Sequence, residues 1–141
     1  MDGQTLYYPG DKEAVLTNPT LNLQTGYAGT FEFLVPPNNP LYDKIKNRSS
    51  MVSVFRDTTE IFYGEVRKQP KIDRYRNKNV YCAGAMSFLA DSIQPQAEYH
   101  DMTPRQMLET FLDIHNNQVE DRKKIYLGKV TITDANDSLY R

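Results

Sequence analysis

The sequence is poor in the residues that crosslinking and catalysis most often need. Its 141 residues include one cysteine, two histidines and no tryptophan. The single Cys82 excludes an internal disulfide and a cysteine-based zinc cluster. No apolar run approaches the roughly 20 residues that a membrane-spanning helix requires. The first residues lack the basic and apolar regions of a signal peptide, so we expect no Sec-dependent secretion.

The composition is that of a globular protein able to build its own core. Hydrophobic residues make up 39% of the chain and charged residues 25%, which is enough apolar material to fold without a metal or a disulfide. The net charge of −1 gives no electrostatic reason to expect nucleic acid or an acidic membrane as the main partner. The length predicts one domain, or one domain and the start of another.

Three apolar segments between Ser50 and Asp91 predict an antiparallel meander. They are residues 51–55, 61–66 and 79–86, and polar or basic residues separate them. Such a sheet cannot bury both faces alone, so we expect the flanking segments to pack on it or close it into a barrel.

The flanking sequence predicts further strands. Strict alternation in residues 20–24 and 30–35, joined by a link with Gly26 and Gly29, predicts a hairpin. Short strands are also predicted at residues 5–8 and 125–133, the second with a bulge at Gly128. The alternation assigns five side chains to the buried face of the hairpin: Leu21, Leu23, Phe31, Phe33 and Val35.

One helix is strongly indicated. Thr103 is suited to the N-cap, Pro104 to the first helical position, and Gln106 to the completion of a capping box. Phe111 and Leu112 are expected to lie against the sheet. The stripe on the helix consists of Met107, Leu108, Phe111, Leu112 and His115.

Together these elements predict an α+β, mainly β fold. It is an antiparallel, barrel-like domain of six to eight strands with one principal helix at about residues 103–116. A barrel-like domain is expected over residues 1–100. Residues 101–141 are expected to supply the helix, a strand and the connection to a following domain.

No catalytic constellation is apparent in the sequence. His115 falls on the helix stripe, which favours a packed residue over a base, and His100 lies in a loop without a nucleophile beside it. Cys82 in mid-strand favours a buried, inert thiol. The acidic segment 134–138 lacks the glycine and the distal glutamate of an EF-hand loop, so a turn is predicted. We therefore expect no enzyme activity, no cofactor and no metal.

A basic segment lies between the second and third meander strands. Residues 67–78 carry six basic side chains and one acidic one. This pattern suits contact with a polyanion, but it better suits a solvated hairpin tip whose charges discourage strand addition, which we favour. An oligonucleotide-binding barrel would need stacking aromatics in the tip, where only Tyr75 is present.

Ten tyrosines are distributed along the chain. Amphipathic rings with few rotatable bonds suit protein interfaces and the rims of β-barrels, which we favour, and they also suit carbohydrate platforms. The alternative of a small carbohydrate-binding β module predicts two or three coplanar tyrosine rings on one exposed face.

The order of segments resembles a known family. The resemblance extends in order over nearly the whole chain, and this ordered coverage is more specific than any single motif. The matching segments are residues 16–19, 21–23, 29–37, 40–42, 54–57, 60–66, 80–84, 88–94, 116–119 and 127–132. They resemble the N-terminal part of the tail-tip hub proteins of siphophages and prophages, also called tail-associated, prophage-endopeptidase-tail or minor structural proteins.

This resemblance implies a structural protein of the virion. The family shares the fold of the contractile-tail baseplate hub and assembles as a trimer that closes the tail tube below the distal tail protein ring. The tape measure protein is a further expected partner, whereas membrane and specific nucleic-acid binding are not expected. The chain is expected to be an N-terminal fragment made in the host cytoplasm and located at the virion tail tip. Any peptidoglycan hydrolase domain would lie downstream of it.

The expected contacts with neighbouring proteins lie at the link of the first hairpin and in the basic segment. The candidate residues are Tyr27, Arg67, Lys68, Lys71, Arg74, Tyr75, Arg76 and Lys78.

Overall fold

A computed structural model describes residues 3–132. The chain divides into two compact units with the boundary between Met86 and Ser87, whereas the sequence placed a boundary after residue 100. The first unit contains all six strands: β1 (Thr17–Asn22), β2 (Thr30–Val35), β3 (Met51–Arg56), β4 (Thr59–Val66), β5 (Lys71–Ile72) and β6 (Lys78–Gly84).

These strands form one antiparallel sheet in the order β1-β2-β6-β4-β3, with β5 paired to β6. The predicted hairpin is β1–β2, and the predicted meander is β3–β4–β6. Both are confirmed. In the part of the chain that the structure describes, β1 and β3 end the sheet, which curls into a half-barrel. The mainly β, α+β class is therefore confirmed at this level.

The core of the first unit lies on one face of this sheet. Alternate residues of β2, β4 and β6 point into it, and the rings of Phe31 and Phe33 lie 4.8 Å apart between centroids. The buried core consists of Leu6, Phe31, Phe33, Val35, Leu41, Ile45, Val52, Phe62, Val66, Val80 and Cys82.

The predicted buried face of the hairpin is correct for β2 and correct in part for the first strand. Phe31, Phe33 and Val35 are buried. Leu21 is half-buried and packs against the core, whereas Leu23 lies beyond the end of β1 and is 57% exposed. Because β1 is an edge strand and ends at Asn22, the alternation of the sequence overestimates the burial of this segment.

The strand predicted at residues 5–8 is also wrong. This segment is irregular, and Leu6 alone is buried from it. The backbone carbonyls of Leu6 and Val15 both accept from the Asn39 side-chain amide, each at 3.0 Å. A buried side chain thus supplies the hydrogen bond that a neighbouring strand would otherwise have supplied.

The second unit contains helix α1 (Pro104–Asn116) and the 3-10 turn Asp121–Lys123. Thr103 and Gln106 form the predicted capping box through bonds of 3.2 and 2.9 Å. The predicted burial of Phe111 and Leu112 is wrong, because both are half-buried. The ring of Phe111 instead meets Tyr99 edge-on, with 5.6 Å between the centroids.

The last predicted strand is wrong over residues 125–132, which contain no strand. The side chain of Asn116 accepts from the Ile125 N–H at 2.9 Å and donates to its carbonyl at 2.8 Å. Both backbone groups of Ile125 are therefore satisfied by one amide side chain rather than by a β-ladder. Because residues 125–132 form no strand, the β-bulge predicted at Gly128 is also wrong. Thr133 and the segment 134–138 lie outside the described residues.

Candidate protein-protein interface

The basic segment, residues 67–78, forms a structured hairpin tip, which we call the basic tip. Strand β5 pairs with β6, and the turn between them is organised by Asp73. One carboxylate oxygen of Asp73 accepts from the N–H groups of Tyr75 and Asn77, both at 2.8 Å, and the other accepts from the Asn77 side chain at 3.0 Å. The side-chain bond from Asn77 is the main cause that lowers the pKa of Asp73 below its ordinary value. The turn is thus held by an ionised carboxylate.

Two basic side chains at the base of the tip are used within the first unit. The Arg67 Nε lies 3.0 Å from a carboxylate oxygen of Glu65, which is fully buried in β4. The Lys68 ammonium lies 3.9 Å from the centre of the Tyr81 ring. These charges neutralise or cover neighbouring groups, so they have less freedom to meet a partner.

Lys78 holds the base of the tip against the turn Tyr42–Lys44. Its ammonium donates to the Tyr42 carbonyl, lies 4.0 Å from the centre of the Tyr42 ring and lies 3.4 Å from Asp43. The Tyr42 hydroxyl in turn donates to the carbonyl of Arg76. The position of the tip relative to the sheet is therefore fixed at two points.

The other basic and aromatic side chains of the tip are exposed. Lys71, Arg74 and Arg76 present three positive charges, and the Arg74 guanidinium lies 4.6 Å from the centre of the Tyr75 ring. The Tyr75 side chain is 65% exposed. Arginine and tyrosine are the residue types that most often dominate the binding energy of protein interfaces. A hydrogen-bonded, basic and aromatic projection of this kind suits an acidic protein surface.

Tyr27 does not join this surface. It lies in the β1–β2 link beside the end of β6 at Gly84, because Gly84 N–H donates to the carbonyl of Gly29 at 3.0 Å. The basic tip precedes the other end of β6, at Lys78. The rise of the strand separates the two places by about 20 Å. The candidate contacts therefore fall on two surfaces rather than one.

The structure also defines the surroundings of Cys82 and His100. Cys82 is fully buried, and burial raises the pKa of its thiol to about 12, so the thiol is protonated at neutral pH. Thiolate is the nucleophilic form, which makes Cys82 unreactive in the folded protein. His100 lies 3.5 Å from the Glu98 carboxylate on an exposed segment.

In the second unit, His115 and Ser92 form a hydrogen-bonded pair that the sequence did not predict. His115 is fully buried, with its Nδ1 2.8 Å from the Ser92 hydroxyl and its Nε2 3.2 Å from the Lys123 carbonyl. A carbonyl only accepts, so Nε2 carries a proton and donates to Lys123. The Ser92 hydroxyl also lies 3.3 Å from the Leu89 carbonyl, so its single proton is directed to that carbonyl or to Nδ1. Ser92 and His115 are 23 residues apart, and no motif links them. The apolar stripe was the only signal, and it pointed to the packed histidine that the structure contains.

This serine–histidine contact resembles half of a nucleophile–base pair. The imidazole is enclosed on all sides, so a substrate could reach only Ser92, which is half-buried. The third position, which a carboxylate occupies in a hydrolase triad, is held here by a backbone carbonyl. The two contacts of the His115 ring are the hydrogen bonds that a buried imidazole requires.

Two other kinds of feature, a metal centre and a membrane-spanning helix, are not found in residues 3–132. Within that range, no group of three or more histidine, cysteine, aspartate or glutamate side chains could hold a metal ion. None of the helices in the same range has the length and apolar character needed to cross a membrane. Comparison of the chain with protein-family models, curated proteins and solved structures finds no match.

Proposed function

We propose that this chain is an assembly module: the N-terminal part of a phage tail-tip hub that associates with itself as a trimer in the full-length protein. Its site of action is the virion tail tip, where it docks onto the distal tail protein ring and lies near the tape measure protein. Support comes from the ordered resemblance along the chain and from the mainly β architecture. The observation that carries the docking proposal is the rigid basic tip with Lys71, Arg74, Tyr75 and Arg76 exposed.

The chemistry of the tip defines its partner as an acidic protein face. Charges of opposite sign steer the encounter and fix the register of a complex more than they raise its affinity. The Asp73-centred turn and the Tyr42–Lys78 contacts hold the tip in place before binding. A preformed tip loses less conformational entropy on docking than a mobile loop does.

Charge reversal at the tip tests this function. The variant Arg74→Glu/Arg76→Glu should dock less well to the distal tail ring in the full-length protein, and its melting temperature should stay near that of wild type. A matched control, Lys12→Glu/Lys46→Glu, makes the same charge change at exposed lysines of the first unit outside the tip. The wild-type interaction should weaken as salt rises from about 0.05 to 0.5 M, because exposed charges are screened.

The result that contradicts docking through the tip is equal capture of wild type, tip variant and control by the ring at low and at high salt. The proposal also assigns no catalysis to the chain. Release of peptidoglycan fragments by the purified chain, lost on His115→Ala or His100→Ala, would contradict that assignment.

A further inference from the structure

The first unit contains a second surface, distinct from the basic tip, along the edge of β3. A groove of about 920 Å³ lies between the N-terminal segment, residues 3–9, and strand β3. We call it the β3 groove. Its floor is apolar and its rim carries the exposed rings of Tyr7, Tyr8 and Phe55. The apolar residues of the floor are Leu6, Leu16, Phe31, Val52 and Val54.

Consecutive residues of β3 line this groove. Val52, Ser53, Val54 and Phe55 all contribute to it, although successive side chains of a strand point to opposite faces of the sheet. A surface that touches both sets of side chains follows the edge of the strand. The groove therefore exposes the backbone of β3 as well as its side chains.

The hydrogen-bonding direction of β3 follows from its register with β4. The Val66 N–H donates to Ser50 at 3.0 Å, so the pair Ser50–Val66 is hydrogen-bonded. In an antiparallel ladder such pairs alternate with non-bonded ones, which makes Ser53–Tyr63 a non-bonded pair. The N–H and C=O of Ser53 accordingly point away from β4. The register shifts between Val54 and Phe55, so the direction at Phe55 is obtained by counting residue pairs back from the turn at Asp57. The N–H and C=O of Phe55 also point away from β4. Within the described residues, no strand pairs with this side of β3.

The two edges of the sheet differ in how they are protected. Strand β1 contains Pro19 and an irregular register between Thr17 and Thr20, features that prevent the addition of another strand. Strand β3 has no proline, and its residues Met51–Phe55 are uncharged. Its six residues extend about 20 Å, the length of an average strand.

We propose that the β3 groove binds an extended polypeptide segment of a partner protein, which adds to β3 as an antiparallel or parallel strand. The backbone groups of Ser53 and Phe55 supply its hydrogen bonds. The apolar floor takes alternate aliphatic side chains of the segment, and Asp57 at the end of the groove favours a lysine or arginine there. An oligosaccharide fits less well, because Asp57 is the only charged residue in the lining and the floor is apolar. This site does not depend on the function of the basic tip.

A generic strand tests the proposal, since main-chain hydrogen bonds supply most of the affinity in strand addition. The probe is a short peptide of alternating threonine and valine with a lysine at each end. Its control has the same side chains, with alternate amides N-methylated so that they can no longer donate. In wild-type protein, the first peptide should shift the amide resonances of Ser53 and Phe55 and slow hydrogen exchange at Ser53 by about tenfold. The N-methylated peptide should do neither.

A pair of variants checks the location. Ser53→Pro removes the outward N–H and should abolish binding of the peptide, whereas Ser53→Ala should bind as wild type does; the melting temperature of each shows whether it has folded. The proposal is overturned if the two peptides bind equally, if neither binds at millimolar concentration, or if a chito-oligosaccharide perturbs the Tyr7 and Tyr8 rings while the peptide does not. It is also overturned if wild type is a dimer that Ser53→Pro converts to a monomer, because the groove would then belong to a second copy.

Discussion

His115 and Ser92 form a partly buried hydrogen bond of 2.8 Å that joins helix α1 to residues preceding it in the second unit. The other ring nitrogen reaches the Lys123 carbonyl, so the imidazole connects three segments of the chain. We expect His115→Ala to destabilise the protein by about 3 kcal/mol, through the cavity and the unpaired groups that it leaves.

Ser92→Ala removes the hydroxyl that contacts Nδ1 of His115 and the Leu89 carbonyl, and it should cost about 1–2 kcal/mol. Urea titration measures both changes. His100→Ala, on an exposed segment, is the control and should change stability by less than about 0.5 kcal/mol. Equal stability of His115→Ala and wild type would contradict the role of His115 as a structural connection.

The thiol of Cys82 should make stability fall at high pH. Burial raises its pKa from 9.0 to about 12, so the folded state keeps a proton that the unfolded state has lost. The contribution is therefore complete below pH 9 and is lost as pH rises from 9 to 12, with a slope of up to about 1.4 kcal/mol per pH unit.

Cys82→Ala should remove this part of the pH dependence, which urea titrations at a series of pH values measure. The native thiol should also resist a disulfide reagent at pH 8 until the protein is unfolded. Rapid modification of the folded protein would show that Cys82 is accessible.

Gly84 is required where β6 approaches the β1–β2 link. A Cβ at this position would lie 1.8 Å from the Ala28 carbonyl oxygen, which is backbone and cannot rotate away. Gly84→Ala should therefore cost more than about 3 kcal/mol or prevent folding. Gly128→Ala is the matched control, because no atom lies within 4 Å of its added methyl group and the change should stay within about 0.5 kcal/mol. Similar unfolding midpoints for the two variants would contradict the close approach.

Lys78 and Lys71 should differ although both belong to the basic tip. The Lys78 ammonium contacts the Tyr42 carbonyl and ring, whereas Lys71 is exposed. Lys78→Met should cost about 1–2 kcal/mol and Lys71→Met less than about 0.5 kcal/mol. Thermal unfolding measures the difference. If both variants are as stable as wild type, Lys78 does not fix the base of the tip.

The sequence alone determined the class of the fold and most of its elements. Alternation identified β2, apolar runs between polar segments identified β3, β4 and β6, and the capping box at Thr103 placed the start of α1 within a residue of its observed position. These signals are local: a strand that buries one face needs apolar residues at every second position, and a helix start needs its first N–H groups satisfied.

The tertiary structure decided which of these elements became edges and which side chains met. Leu23 has the same pattern as Phe33, yet it is exposed because β1 ends at Asn22, before it reaches this residue. The segment after α1 has the alternation of a strand, but the Asn116 amide takes the backbone groups of Ile125. The sequence showed that the basic tip carries six basic side chains. Only the fold showed which of them contact neighbouring groups of the first unit, namely Arg67, Lys68 and Lys78. The side chains of Lys71, Arg74 and Arg76 are exposed. Partners distant in sequence leave no periodic signal, because their proximity depends on how the whole sheet curls and pairs.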